Sequence, residues 1–162
     1  GPKDELIFQV EDNNTFIAVF WACILGGIIP VPLSIGKNED SKLKLFKVAA
    51  VLNNPYLITS EKLYAKIEVF AGKKGMEDSL ALLEGKVLYG KDIYAEKGNG
   101  QIALVHPNDI AFIQFSSGST GDPKGIILTH RNLLTNIEAI SLAAEYSEID
   151  SFLSLMPFTQ DM

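Results

Sequence analysis

Residues 116–125, "SSGSTGDPKG", combine three glycines, four hydroxyl side chains, one proline and one lysine directly after the apolar run "IAFIQF". Glycine lacks a Cβ atom, so the backbone can approach a ligand closely and its successive N–H groups can surround an anion. The hydroxyl groups donate further hydrogen bonds, and the lysine adds a positive charge. This combination is suited to holding the oxygens of a phosphate group.

Three interpretations of this glycine-rich segment compete. Ser, Gly, Asp and Pro are also ordinary turn residues, so composition alone fits a flexible polar turn. A Walker-type phosphate loop needs a hydroxyl residue after its lysine and a helix after that, but Gly125 and the strand-like "IILT" follow Lys124. In the third interpretation the segment joins two strands, with Gly118 and Gly121 allowing positive φ and the loop surrounding a nucleotide's phosphates.

The chain before this loop alternates between strand and helix patterns. Predicted strands cover residues 6–10, 28–32 and 56–59, and predicted helices cover 15–25, 42–52 and 61–71. Gly26 and Gly27 end the first helix, Asp40 or Ser41 caps the second, and Ser60 caps the third, which "GKKG" then ends. Alternation with continuously apolar strands predicts an α/β fold, with a mainly parallel sheet flanked by helices.

We divide the chain into three parts within one domain. Residues 1–71 hold the βα units, 72–108 form an irregular connection with a short strand at "VLYG", and 109–162 hold the glycine-rich loop with the helix and strand that follow it. Thr129 is a predicted cap for the following helix. The apolar face of that helix, which includes Leu133, Ile137 and Ile140, is interpreted as core packing. "SFLSLMPF" is predicted as the last strand.

Composition excludes several classes of function. A formal charge of −6 and scattered lysines argue against nucleic acid or an anionic membrane as a partner. The longest apolar stretch, residues 16–33, contains two glycines and two prolines, so we expect no membrane span. Cys23 is the single cysteine, which fits a reducing, cytoplasmic location. The chain has only two histidines, which together with this cysteine are too few for a metal site.

The run "FIQFSSGSTGDPKGIILTH" closely resembles the phosphate-binding signature of the acyl-adenylate-forming (AMP-binding) superfamily. "FIAVFWACILGGIIPVPL" resembles the helix, glycine break and strand that lie upstream of that signature. Within the superfamily, "QFSSGSTGDPKG" and "LMPFTQDM" are most similar to fatty-acyl-AMP ligases, whose later segment typically reads P-x-x-H-D-M-G. Gln160 stands in place of that histidine, and because an amide cannot ionise we expect altered substrate placement.

The resemblance implies an AMP-forming ligase that uses ATP and Mg²⁺. It would activate a fatty or other carboxylic acid and transfer the acyl group to the thiol of an acyl carrier protein or CoA. It implies phosphate contacts from residues of the loop and substrate contacts near the end of the chain: Ser116, Ser117, Gly118, Ser119, Thr120, Gly121, Lys124 and Gly125 for phosphate, and Gln160 and Asp161 for substrate.

No catalytic residue is assigned within the chain. The adenine pocket, the magnesium-binding glutamate and the lysine of a mobile C-terminal domain lie further along in such enzymes. We therefore expect residues 1–162 to be part of the large N-terminal domain of a longer enzyme and inactive by themselves. Two alternatives stay open at this point: an amino-acid adenylation domain or acyl-CoA synthetase, and a non-catalytic module that binds nucleotide or pyrophosphate.

Overall fold

The computed structural model describes residues 1–36, 38–95, 98–117 and 122–151, with the backbone alone at Ser117. Six strands are described: β1 Glu5–Phe8, β2 Ile29–Pro32, β3 Pro55–Thr59, β4 Val87–Tyr89, β5 Ile110–Ser117 and β6 Pro123–Thr129. Six helices accompany them: α1 Asn13–Gly26, α2 Glu39–Val51, α3 Glu61–Lys74, α4 Glu77–Ala81, α5 Gly90–Ile93 and α6 His130–Ala143. The predicted strand "SFLSLMPF", residues 151–158, lies outside the described residues except for Ser151.

The first four strands form a parallel sheet in the order β2-β1-β3-β4. Ile7 in the central strand is opposite Val31 on one side and Leu57 on the other. The βαβαβ arrangement predicted for the first sixty residues is confirmed. The first strand covers residues 5–8 instead of 6–10. It begins at Glu5, whose buried carboxylate accepts hydrogen bonds from the backbone N–H groups of Asn53 and Asn54.

Two prolines explain why β2 lies at the edge of this sheet. The N–H groups of Ile29 and Leu33 donate to carbonyls at the two ends of β1. Every second N–H group along β2 therefore points toward β1. Pro30 and Pro32 occupy the positions between, where an N–H would face away from β1. Since proline has no N–H, this side of β2 cannot donate to another ladder. Strand β5 lies beside β2 but belongs to a separate sheet.

Alternate residues of β1 divide the core into two layers. Ile7 faces α2 and α3, while Leu6 and Phe8 face α1. Phe8 and Phe46 are almost completely buried, and burying one such side chain contributes roughly 1.5–3 kcal/mol. The prediction of a sheet with helices on both faces is therefore confirmed.

Polar caps and left-handed glycines end the helices. Ser60 caps α3 as predicted, and Gly27 ends α1 with a φ of 68°. The predicted caps of α2 are wrong, because the side chain of Asn38 accepts the Ser41 N–H. This start places Glu39 and Asp40 in the first turn, where the helix dipole favours negative charge.

Helix α3 extends beyond its predicted end. It continues through Gly72 and ends at Gly75, whose φ of 64° suits a glycine. A glycine within a helix costs only about 1 kcal/mol, which the burial of Phe70 and Ala71 in the preceding turn outweighs. The strand predicted at "VLYG" is confirmed as β4, and the helices α4 and α5 flank it.

The prediction that α6 packs into a core is wrong for the described part of the chain. None of its residues is buried, and Ile137 and Ile140 are 42% and 49% exposed. The main contacts of α6 are with β5 and β6, a two-stranded sheet that is too small to cover a helical face. Among the described helices, none is long and apolar enough to cross a membrane.

Candidate phosphate-binding site

The glycine-rich segment connects the two strands of an antiparallel hairpin. Strand β5 ends at Ser117 and β6 begins at Pro123, which is its partner in the register. No helix follows Lys124, because β6 continues to Thr129. The predicted strand–loop–strand arrangement is therefore confirmed at both ends of the loop, and the Walker alternative is excluded.

Ser116 and Lys124 lie opposite each other near the end of the hairpin that the loop closes. Directly opposed residues of an antiparallel pair point to the same face, with their Cβ atoms about 4.5–5.5 Å apart. Both side chains are exposed, and Lys124 forms no ion pair with any residue of the described ranges. The hairpin thus presents a hydroxyl and a positive charge together, on one face, at the base of the loop.

Gly125 has a structural role that the sequence did not indicate. A Cβ atom at this position would lie 3.1 Å from two ring carbons of Phe115, its cross-strand partner, and 3.3 Å from Ile113. Phe115 is itself buried in the core layer that contains α2 and α3, so its ring cannot easily move away. Gly125 therefore lets the hairpin pack against the core, in addition to its predicted place in the phosphate loop.

Gly125→Ala is expected to destabilise the chain by about 1–2 kcal/mol, because the added methyl group overpacks the contact with Phe115. The midpoint of urea unfolding measures the change. Gly72→Ala is the matched control: a Cβ there meets nothing within 4 Å, and the change should stabilise α3 by about 0.5–1 kcal/mol. Equal stability of Gly125→Ala and the wild-type chain would show that the Phe115 contact imposes no constraint.

An ion pair connects the far arm of the loop to α2. The Lys47 Nζ lies 2.7 Å from a carboxylate oxygen of Asp122, the residue before β6. The hydrogen bond and the charge of Lys47 lower the pKa of Asp122 below its usual value. The Lys47 side chain is about half exposed and that of Asp122 is mostly exposed, so the pair contributes little stability.

Thr129 caps α6 as predicted, and it also fixes the other end of β6. Its hydroxyl accepts the Asn132 N–H, and the Asn132 side chain accepts the Thr129 N–H in return. The Arg131 N–H donates to the carbonyl of Pro107, just before β5. These hydrogen bonds therefore hold the open end of the hairpin, which is opposite to the loop.

The structure brings together only part of the predicted site. Ser116, the backbone of Ser117, Lys124 and Gly125 are adjacent in the hairpin. The other predicted residues lie outside the described ranges: Gly118, Ser119, Thr120, Gly121, Gln160 and Asp161.

Neither a metal cluster nor a reactive thiol is found among the residues that the structure describes. No group of three or more His, Cys, Asp or Glu side chains within these ranges could hold a metal ion. Cys23 is 2% exposed, and burial raises the pKa of its thiol to about 12. A thiol with this pKa stays protonated at neutral pH, so Cys23 is a core residue and not a nucleophile.

A family model described as "AMP-binding enzyme" matches residues 1–162, the whole chain. The chain belongs to the AMP-binding enzyme family. Over 126 residues it is 32% identical to long chain acyl-CoA synthetase 6, peroxisomal, of Arabidopsis thaliana, an alignment that covers 74% of this chain and 18% of that relative. Over 56 residues it is 46% identical to the medium-chain-fatty-acid–[acyl-carrier-protein] ligase TtuA of Teredinibacter turnerae, covering 35% of this chain and 9% of TtuA.

Solved structures of AMP-binding enzymes share this fold. The McyG A-PCP structure complexed with phenylalanyl-adenylate matches with a TM-score of 0.78 and 31% identity, over 91% of this chain and 26% of that one. A structure of the fatty acyl-adenylate ligases from E. coli and L. pneumophila matches with a TM-score of 0.68 and 29% identity, over 87% of this chain and 24% of that one. The chain thus spans about a quarter or less of the length of these proteins.

Proposed function

We propose that this chain is the phosphate-holding part of an AMP-forming ligase that activates a fatty carboxylic acid. The observation that carries the proposal is the hairpin, which places Ser116 and Lys124 side by side at the base of a glycine-rich loop. The activated acyl group would then pass to a phosphopantetheine thiol, on either an acyl carrier protein or CoA.

The task of the hairpin in this reaction is to hold the leaving group. A carboxylate oxygen attacks the α-phosphorus of ATP, the bond from this phosphorus to the bridging oxygen breaks, and pyrophosphate leaves. The Lys124 ammonium and the loop's N–H groups would bind the β- and γ-phosphate oxygens and stabilise the charge that develops on them. One charge pair about 4 Å apart contributes roughly 4 kcal/mol at an effective dielectric constant of 20, before desolvation.

Mg²⁺ would neutralise part of the phosphate charge when it is bound with ATP. A cationic lysine and neutral hydroxyl groups suit the negative triphosphate, so the described residues of the hairpin fit the nucleotide. They offer no carboxylate cluster for the metal itself. We therefore assign the chain a role in binding phosphate and no role in binding Mg²⁺.

The sequence comparisons favour a fatty acid as the substrate. The chain's end, "LMPFTQDM", is most similar to fatty-acyl-AMP ligases, and the relatives TtuA and acyl-CoA synthetase 6 are named for fatty acids. The McyG structure, which is 31% identical to this chain, holds phenylalanyl-adenylate, so an amino acid is the alternative substrate. Pyrophosphate exchange in a ligase that contains this chain, with dodecanoate and phenylalanine as competing substrates, distinguishes the two. Exchange that occurs with phenylalanine and not with dodecanoate would contradict the assignment of a fatty acid as the substrate.

The 162-residue chain by itself is expected to make no acyl-AMP, because it spans only about a quarter of the length of the ligases that it matches. Exchange of labelled pyrophosphate into ATP, with and without dodecanoate, measures the activity. The expected rate equals that of a sample without protein. Exchange that depends on dodecanoate would show that this chain already contains a complete site.

A further inference from the structure

A shallow groove lies between α2 and α3 on the surface of the protein. Its volume is about 370 Å³, and no described residue of the hairpin lines it. The lining includes two side chains of α2 and four of α3: Glu39, Lys42, Lys66, Val69, Phe70 and Lys73.

The floor of this groove is apolar. The Phe70 ring is 5% exposed and stacks on the ring of Phe46, with the two centroids 6.4 Å apart, so the floor is part of the core. Val69, the residue before Phe70, is 58% exposed. Covering this valine would remove apolar surface from water, which is favourable.

The rim of the groove is positively charged. Its one carboxylate, Glu39, already pairs with Lys74 at 2.7 Å. The hydrogen bond from Lys74 and its charge lower the pKa of Glu39 below its usual value, and the nearby charges of Lys42 and Lys73 lower it further. Lys42, Lys66 and Lys73 form no ion pair with any residue of the described ranges, so three positive charges of the lining are left unneutralised.

Positive charge is concentrated on these two helices, although the chain as a whole is acidic. Helices α2 and α3 carry seven of the 14 Lys and Arg residues and only four of the 20 Asp and Glu residues. Lys66 and Lys73 are seven residues apart, which is two helical turns, so both lie on the side of α3 that faces the groove. The rim is therefore a local exception to the net charge of −6.

We propose that this groove docks an acidic amphipathic helix of a partner protein. The apolar side of that helix would cover Val69 and Phe70, and its carboxylates would lie beside the lysines of the rim. Lys66 and Lys73 are about 10 Å apart along the axis of α3. Acidic side chains seven residues apart on a helix that lies along α3 match this spacing.

A compact acidic helix explains both the charge and the floor of the groove. A small anion would use the lysines but would leave Val69 exposed to water. A membrane or a nucleic acid would extend beyond α2 and α3 and meet the rest of the chain, whose charge is more negative than the total of −6. A single helix contacts only the positive region, because charges further away than about 10 Å are largely screened.

The test titrates the 162-residue chain with a synthetic peptide while its backbone amide signals are followed by NMR. The peptide has about 18 residues, enough to form a helix, with a stripe of leucines flanked by glutamates. A dissociation constant of roughly 100 μM is expected, because the contact is smaller than a standard protein interface. The signals of Lys42, Val69 and Lys73 should shift, and those of Ser116 and Lys124 should not.

Two matched peptides separate charge from apolar contact. Replacing every glutamate by glutamine should weaken binding about tenfold or more, and so should a rise in salt concentration from about 0.05 M to 0.5 M. Replacing every leucine by alanine should also weaken binding about tenfold, because the floor of the groove is then poorly covered. Equal binding of the glutamate and glutamine peptides, or of the leucine and alanine peptides, overturns the proposal.

Lys73→Gln removes one charge of the rim and should weaken binding of the glutamate peptide about three- to fivefold. Lys3→Gln is the matched control, because Lys3 is exposed, lies outside the groove and loses the same charge. It should bind as the wild-type chain does, and circular dichroism checks that both variants are folded. Equal affinities of the two variants, or shifts confined to the hairpin, also overturn the proposal. Since no hairpin residue takes part, the outcome is independent of the proposed phosphate site.

Discussion

Lys124→Ala is expected to lower kcat/KM for ATP by about ten- to a hundredfold in a ligase that contains this chain, a loss of about 1–3 kcal/mol. The exposed ammonium group has no ion-pair partner among the described residues, so its charge is available to phosphate oxygens. Solvent screening and the remaining N–H donors of the loop limit the loss. The affinity for the fatty acid should hardly change, because the acyl chain is held by the burial of apolar surface.

Steady-state release of pyrophosphate, measured against ATP at saturating fatty acid, gives this ratio. Lys66→Ala is the matched control, because Lys66 is an exposed lysine of α3 that lies outside the hairpin and has the same charge. It should leave kcat/KM for ATP unchanged. If both variants behave alike, the effect of Lys124 comes from the overall charge of the protein and not from a phosphate contact.

Phe115→Ala should destabilise the chain by about 3–5 kcal/mol, the largest stability effect that we expect within the hairpin. Its ring is 5% exposed, belongs to the core layer of α2 and α3, and covers Gly125 on the opposite strand. Alanine would leave a cavity in this core layer, beside Gly125. A whole domain is typically stable by only 5–15 kcal/mol, so this loss is a large fraction of the total.

Urea unfolding followed by circular dichroism measures the stability of Phe115→Ala. Ile126→Ala is the control on the same hairpin: Ile126 is 51% exposed, so its truncation should cost less than about 1 kcal/mol. Similar losses for the two variants would show that the hairpin is not anchored in the core through Phe115.

Local sequence signals were sufficient for the parallel sheet and for most helix ends. Gly27 and Ser60 were identified because a left-handed glycine and a capping serine act within one turn of the helix that they end. The start of α2 was misplaced because Asn38, Asp40 and Ser41 are all good caps, and the path of the backbone selects among them. A helix end is predictable where its cause is local and a single residue can supply it.

Contacts between distant parts of the chain could not be predicted from the sequence. Lys47 and Asp122 are 75 residues apart, and neither belongs to a motif that would pair them. The predicted first strand begins after Glu5, but Glu5 is a buried residue of β1, and three hydrogen bonds from Asn53 and Asn54 compensate its burial. The contact of Gly125 with Phe115 also joins distant parts of the chain, because it follows from the register of the hairpin.

Binding of tripolyphosphate to the 162-residue chain is the most direct test of the phosphate-holding role. The backbone amide signals of Ser116, Ser117, Lys124 and Gly125 should shift together during an NMR titration. Lys124→Ala should weaken the binding at least about threefold. The affinity should also fall as salt concentration rises, because a charge contact is screened. Shifts spread over the exposed lysines of α2 and α3, with the hairpin signals unchanged, would contradict the assignment of "SSGSTGDPKG" as a phosphate site.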